Sequence, residues 1–86
     1  MADFYKQIGI QMKRIRENKK LTLTQVEKLS GISRSNLSKY ENGKKAMSLD
    51  ILYRWSVALK IKMSSPFRQI EDSRRNPTIH NTENML

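Results

Sequence analysis

Cysteine is absent from this 86-residue chain, which excludes disulfide staples and cysteine-ligated zinc and is compatible with a reducing cytoplasm. The single histidine, His80, has no histidine, cysteine or paired carboxylate at ligand spacing, so neither a metal nor a cofactor is expected. No apolar run is long enough to span a bilayer, and no signal peptide or lipidation motif is recognisable, so a membrane partner is not expected and the cytoplasm is the expected location. Internal repeats, a phosphate-binding glycine loop and a nucleophile-base constellation are also missing, which leaves an enzyme as the least supported class. Acidic residues are scarce: 8 Asp and Glu stand against 17 Lys and Arg, a formal net charge of +9.

That charge is the first positive clue. Residues 1–45 hold eleven basic and four acidic residues, a net +7, so most of the excess lies in one half of the chain. A polyanionic partner follows, and without membrane signals nucleic acid is the one that fits. The hydrophobic fraction of 37% and the short length allow one domain with a modest core and a part left unpacked.

Residues 21–43, LTLTQVEKLSGISRSNLSKYENG, write out two short helices around a glycine turn. Thr22 precedes a helical pattern and Gln25 follows three residues later, a capping box, with Leu21 and Val26 placed as a hydrophobic staple. The first helix therefore starts near Leu23 and stops near Ser30, because Gly31 most easily takes the positive φ of a tight exit. Ile32 is the apolar plug of the turn. Ser33 caps the next helix, which runs from Arg34 to Tyr40 before Asn42 and Gly43 end it.

In that second helix Leu37 and Tyr40 lie three apart on one side and face the core. The opposite side carries Arg34, Ser35, Ser38 and Lys39, none of them bulky and apolar and two of them cationic. Such a helix suits the major groove of duplex DNA. Ser33, Arg34, Ser35, Ser38 and Lys39 are the candidate base-reading residues, and Thr22, Asn36, Asn42, Lys44 and Lys45 the candidate phosphate contacts.

The segment resembles the helix-turn-helix of the phage-repressor (Cro/C1-type) family of bacterial regulators. SRSNLSKYENGKK is close to that family's usual recognition-helix ending, and the likeness covers roughly residues 5–60, with Gly31, Ile32, Leu37 and Glu41-Asn42-Gly43 in place. The resemblance implies a structural ion pair between Arg16 and Glu41, preferred here over direct DNA contact by Arg16. Two positions depart from the family pattern. Glu27 replaces the usual small alanine, and Leu23 replaces a phosphate-binding glutamine, so that contact is not carried over; a backbone N–H at the helix start can take its place.

Elsewhere, residues 3–18 read as a first helix with Tyr5, Ile8, Met12 and Ile15 as its core positions. Ser48 caps a further helix with a stripe of Leu49, Leu52, Trp55, Ser56 and Leu59; this stripe argues for a buried Trp55, not a stacking platform for bases. Ile51 and Tyr53 fall beside the stripe as a partner-facing surface. From Leu59 to Phe67 apolar residues alternate with polar ones, which favours a short strand over residues 60–65, while Ser64 or Ser65 followed by Pro66 is the rival signal of a fifth helix. The alternation is similar to antitoxins of the high-persistence toxin-antitoxin class, in which such a strand pairs with its copy in a dimer. Residues 71–86 are polar, nearly neutral and aperiodic, and read as a disordered tail whose Arg74 and Arg75 are solvated.

The expectation is an all-α, lambda-repressor-like helix-turn-helix domain of four to five helices over residues 1–70, with a short C-terminal strand paired across a dimer as its variant. It is expected to bind an operator in duplex DNA as a homodimer and to repress transcription, with Ile51, Ile61, Met63 and Phe67 at the dimer interface. An autoregulating antitoxin that holds a toxin protein, and a protein-binding adaptor on the same fold, are the alternatives.

Overall fold

The helix starts signalled by Thr22, Ser33 and Ser48 all form. In the computed structural model, which describes residues 2–74, α1 spans Ala2–Asn18, α2 Leu23–Ser30, α3 Arg34–Glu41, α4 Leu49–Leu59 and α5 Ser65–Arg74. The Gln25 amide donates to Thr22 Oγ1 at 3.1 Å while the Thr22 amide donates to Gln25 Oε1 at 2.8 Å, the full capping box. Ser33 Oγ accepts from the Asn36 amide at 3.1 Å and Ser48 Oγ from the Ile51 amide at 3.2 Å. Each cap satisfies an amide that has no partner inside its helix, worth about 1 kcal/mol.

The helix ends are equally local in origin. Gly31 takes φ +76° and its amide closes on the Glu27 carbonyl at 2.9 Å. The other three interior helix ends share one geometry: a left-handed residue whose amide, together with that of the next residue, bonds back into the last turn. Gly43 fills the position after α3, with φ +68°. Lys20 and Lys60 fill it after α1 and α4, each with φ 58°, a conformation in which a lysine is less at ease than glycine.

Amphipathic spacing then decides the packing. Ile8 and Met12 on α1, Val26 on α2, Leu37 and Tyr40 on α3, and Leu52, Trp55 and Leu59 on α4 are buried together with Ile32 from the turn. Helix α1 lies against α3 and α5, and α2 against α3 and α4. Trp55 is fully enclosed, its ring 6.0 Å from that of Tyr40, as its place in the stripe predicts. Leu49 departs from that stripe: it is exposed at the first position of α4, because Leu52, Trp55 and Leu59 already fill the core face. Glu27, at the position of a small residue in the resembled family, is half-buried.

The strand expected over residues 60–65 does not form, and no strand occurs among the described residues. The Lys60 amide is used by Val57 and the Ile61 amide by Ser56, so both belong to the exit of α4 and neither is free for a ladder. The Ser65 amide closes a turn on Lys62, and Pro66 sits in the first turn of α5, where its missing N–H costs nothing. The apolar alternation of Ile61 and Met63 comes from a loop whose side chains lean on neighbouring helices. Residues 71–74, assigned to the tail by composition, complete α5. Arg75, His80 and the rest of that segment lie outside the described residues, as does the side chain of Arg74.

Candidate nucleic-acid interface

The interface is built on the α2-turn-α3 unit. Gly31 reverses the chain, Ile32 plugs the turn with 3% exposure, and its amide donates to Ser30 Oγ at 3.0 Å. Arg54 reaches over from α4 to cover the same turn, its Nε donating to the Ser30 carbonyl at 3.4 Å. The turn is thus clamped from the core side and from α4, which sets the angle at which α3 leaves it.

Helix α3 divides as its sequence dictates. Leu37, Tyr40 and Glu41 are buried; Ser33, Arg34, Ser35 and Lys39 are exposed; Asn36 and Ser38 lie half-buried between the two faces. Lys44 and Lys45 follow in solvent. Among the described residues the ion pairs are Arg16–Glu41 and Arg54–Asp50, so none of the described carboxylates pairs with Arg34, Lys39, Lys44 or Lys45. Four cations without a carboxylate partner thus fall within twelve residues of chain, an arrangement whose charge suits a regularly spaced polyanion.

Several of these side chains also hold one another. Arg34 Nη1 donates to Thr24 Oγ1 of α2 at 3.2 Å, which brings the start of α3 beside the start of α2. Lys45 Nζ donates to Asn36 Oδ1 at 3.2 Å and stands 5.7 Å from the Tyr40 ring centroid, so the residue after the helix is folded back along it. Asn42 Nδ2 donates to the Ser38 carbonyl at 2.8 Å and closes the helix end. Thr22 and Ser33 spend their oxygens on capping, which orients their hydroxyls. Thr24 has no place among the sequence candidates, and no local signal points to it: its partner is ten residues away and is set by the angle between α2 and α3.

Beneath this face lies the ion pair that the family resemblance implied. Arg16 Nε donates to Glu41 Oε2 at 2.6 Å and Nη2 to Oε1 at 3.1 Å, while Nη1 donates to the Leu21 carbonyl at 2.8 Å. One guanidinium therefore joins α1, the approach to α2 and the end of α3. Glu41 is nearly sealed, with 4% of its side chain exposed, so the pair positions the recognition helix more than it stabilises the fold. The hydrogen bond to Glu41 raises the Arg16 pKa above the ordinary arginine value, burial opposes it, and the charges of Glu41 and Glu17 add to it. A folded-state pKa raised above the unfolded one gives stabilisation present at lower pH and lost only as pH rises beyond the arginine range, so Arg16 stays charged under all working conditions.

A second contact positions the same helix. Gly9 of α1 faces the end of α3 so closely that a Cβ there would stand 2.1 Å from the Tyr40 carbonyl oxygen. The four residues expected at a dimer interface, Ile51, Ile61, Met63 and Phe67, are partly buried against the core, with the Phe67 ring 5.6 Å from Phe4. No group of three or more metal-ligating side chains occurs among the described residues, and no described helix is long and apolar enough to cross a membrane.

A glycine turn between two short helices, the second presenting an exposed basic face, defines the class: a helix-turn-helix DNA-binding domain. The family comparison agrees, matching the HTH_3 helix-turn-helix model over residues 12–65. The chain belongs to that family of DNA-binding transcriptional regulators. Among solved structures it is similar to the restriction-modification controller protein C.AhdI from Aeromonas hydrophila, at 27% identity and a TM-score of 0.72, with 77% of this chain and 98% of that chain covered. An HTH_3 family transcriptional regulator from Vibrio cholerae is also similar, at 27% identity and a TM-score of 0.76 over 87% of this chain and 44% of that one. The clp gene regulator ClgR from C. glutamicum shares the fold, with a TM-score of 0.76 at 24% identity over 83% of this chain and 92% of that one. The search of curated proteins gives no match.

Proposed function

We propose that this regulator is a repressor that binds a two-fold-related operator in duplex DNA as a homodimer. The observation that carries the reading is the exposed α3 face, with Arg34 and Ser35 at its start and Lys39, Lys44 and Lys45 at its end, seated on a buried ion pair that fixes its direction. Arg34, Ser35, Ser38 and Lys39 read base edges; Lys44 grips the phosphate backbone, and Lys45, through Asn36, stiffens the helix end between them. One such helix reaches few base pairs, and two related by a dyad double the contacts and read half-sites one helical turn apart. The likeness to the restriction-modification controller protein C.AhdI supports a regulatory reading. The antitoxin alternative drew on a strand over residues 60–65, and that segment is a turn leading into α5.

Selection of bound sequences from a random duplex pool tests this reading. The expected result is a palindromic consensus with half-site centres about 10 base pairs apart, bound with an affinity that falls steeply with salt. A pool that shows no enrichment would sink the operator reading, and a single asymmetric site would sink the dimer.

A further inference from the structure

Of the cations on the exposed side of α3, Arg34 has its charged end tied to a different helix. Its Nη1 donates to Thr24 Oγ1 at 3.2 Å, and Thr24 is the second residue of α2. Among the described residues the side chains of Lys39 and Lys44 have no such bond, and that of Lys45 reaches back only to Asn36 and Tyr40 of α3 itself. The acceptor on Thr24 carries no charge, so the bond does not cancel that of the guanidinium. It also takes only one of the N–H donors: among the described residues no other group accepts from this side chain, which leaves Nε and Nη2 as two parallel donors along one edge. The place of the acceptor is fixed from below. Thr24 turns its hydroxyl about a single bond, on a helix whose angle to α3 is set by the Gly31 turn, the Ile32 plug and the bond from Arg54 to the Ser30 carbonyl.

We infer that Thr24 determines specificity as a positioning residue: by holding Nη1 it aims the Nε–Nη2 edge of Arg34 at O6 and N7 of a guanine. The inference rests on the operator reading above and adds to it the base that the start of α3 selects and the residue outside α3 that makes the selection possible. An arginine free at its tip has several rotatable bonds and is drawn to every phosphate oxygen within reach, and a phosphate contact carries no sequence. A tied one behaves differently. Its planar fork enters the groove already oriented, so less ordering is left for the moment of binding, and the two remaining donors match the two acceptors that guanine alone presents side by side in the major groove. Lys39 and Lys44, whose ammonium groups have no such tie, keep the freedom that suits a grip on the backbone.

Selection from a random duplex pool with the full-length wild type and with Arg34→Ala first identifies the base pair that Arg34 reads, as the position whose guanine preference the variant loses. Wild type, Thr24→Val and Thr24→Ser are then titrated against the selected operator and against the same duplex with that pair exchanged. Thr24→Val keeps the outline of the side chain and removes the acceptor, so discrimination at that one position should fall by about two- to tenfold while the other positions keep theirs. Thr24→Ser keeps the hydroxyl and should discriminate as the wild type does. Neither variant removes a charge, so the salt slope should not move. Added to Arg34→Ala, Thr24→Val should change nothing further, because the residue it acts through is gone. Melts followed by circular dichroism show that each variant is folded, and Thr24→Ala repeats the comparison if the valine variant melts early. An Arg34→Ala consensus equal to that of the wild type, undiminished discrimination in Thr24→Val, a loss spread evenly over all positions, or an effect of Thr24→Val that persists beside Arg34→Ala would each overturn the inference. A wild type that enriches no sequence removes the operator reading and this inference together, whereas a wild-type consensus that Thr24→Val leaves intact removes the inference alone.

Discussion

Gly9→Ala should destabilise this protein, although alanine is the better helix former. In an unencumbered helix the exchange would contribute about 0.5–1 kcal/mol of stability. Here the added Cβ would stand 2.1 Å from the Tyr40 carbonyl oxygen and 3.1 Å from that of Glu41, where real Cβ atoms do not come within 3.0 Å of such an atom. Ordinary carbon-to-carbonyl contact lies at about 3.3–3.6 Å, so α1 and α3 must part by roughly 1 Å, and the obstacle is backbone, which cannot rotate aside. Overpacking of this kind costs about 1–3 kcal/mol, and a rigid obstacle places it at the upper end. The net loss is about 1–2 kcal/mol, and at about 4–8 °C per kcal/mol for a domain of this size the melting temperature should fall by about 5–15 °C. Thermal melts of wild type and variant, followed at a helical wavelength, give the answer directly. Displacing the end of α3 should also weaken duplex binding beyond what the fraction unfolded explains. A melting temperature that is unchanged or higher would refute the reasoning, since it would mean that α1 and α3 do not meet at Gly9.

Arg34→Ala should cost about 1–3 kcal/mol on the selected operator and little on scrambled duplex, while Lys44→Ala should weaken both alike and lower the salt slope by about one; equal losses on the two duplexes for Arg34→Ala would make it a phosphate contact. Arg16→Met should cost about 3–5 kcal/mol in a urea titration, because it leaves the Glu41 carboxylate buried without a partner, and Arg16→Met with Glu41→Leu should regain much of that; a loss below about 1 kcal/mol for the single variant would mean that the carboxylate finds water instead. Lys60→Gly should raise stability by about 0.5–1 kcal/mol, since φ 58° is strained for lysine and free for glycine, and a loss of stability would show that the α4 exit is not left-handed.

What the sequence determined by itself are the features whose partners sit within one helical turn. Thr22 with Gln25, Ser33 with Asn36 and Ser48 with Ile51 are bonds between residues three apart, and such rings close whatever surrounds them. The exit at Gly31 and the division of α3 into a buried face of Leu37 and Tyr40 and an exposed basic face follow from the same local arithmetic. The Arg16–Glu41 pair was legible only through family resemblance, because nothing in the chain between them states that positions 25 residues apart will meet. Tertiary structure decided the rest. Alternation at Ile61 and Met63 imitates a strand, yet the amides of Lys60 and Ile61 bond back into α4 before any ladder can use them. Leu49 belongs to the apolar stripe by spacing and is exposed in fact, because the core has finite volume and Leu52, Trp55 and Leu59 fill it. Gly9 against Tyr40, Arg34 on Thr24 and Arg54 over the turn depend on the angles at which helices cross, and those angles emerge only when all the apolar faces are satisfied at once.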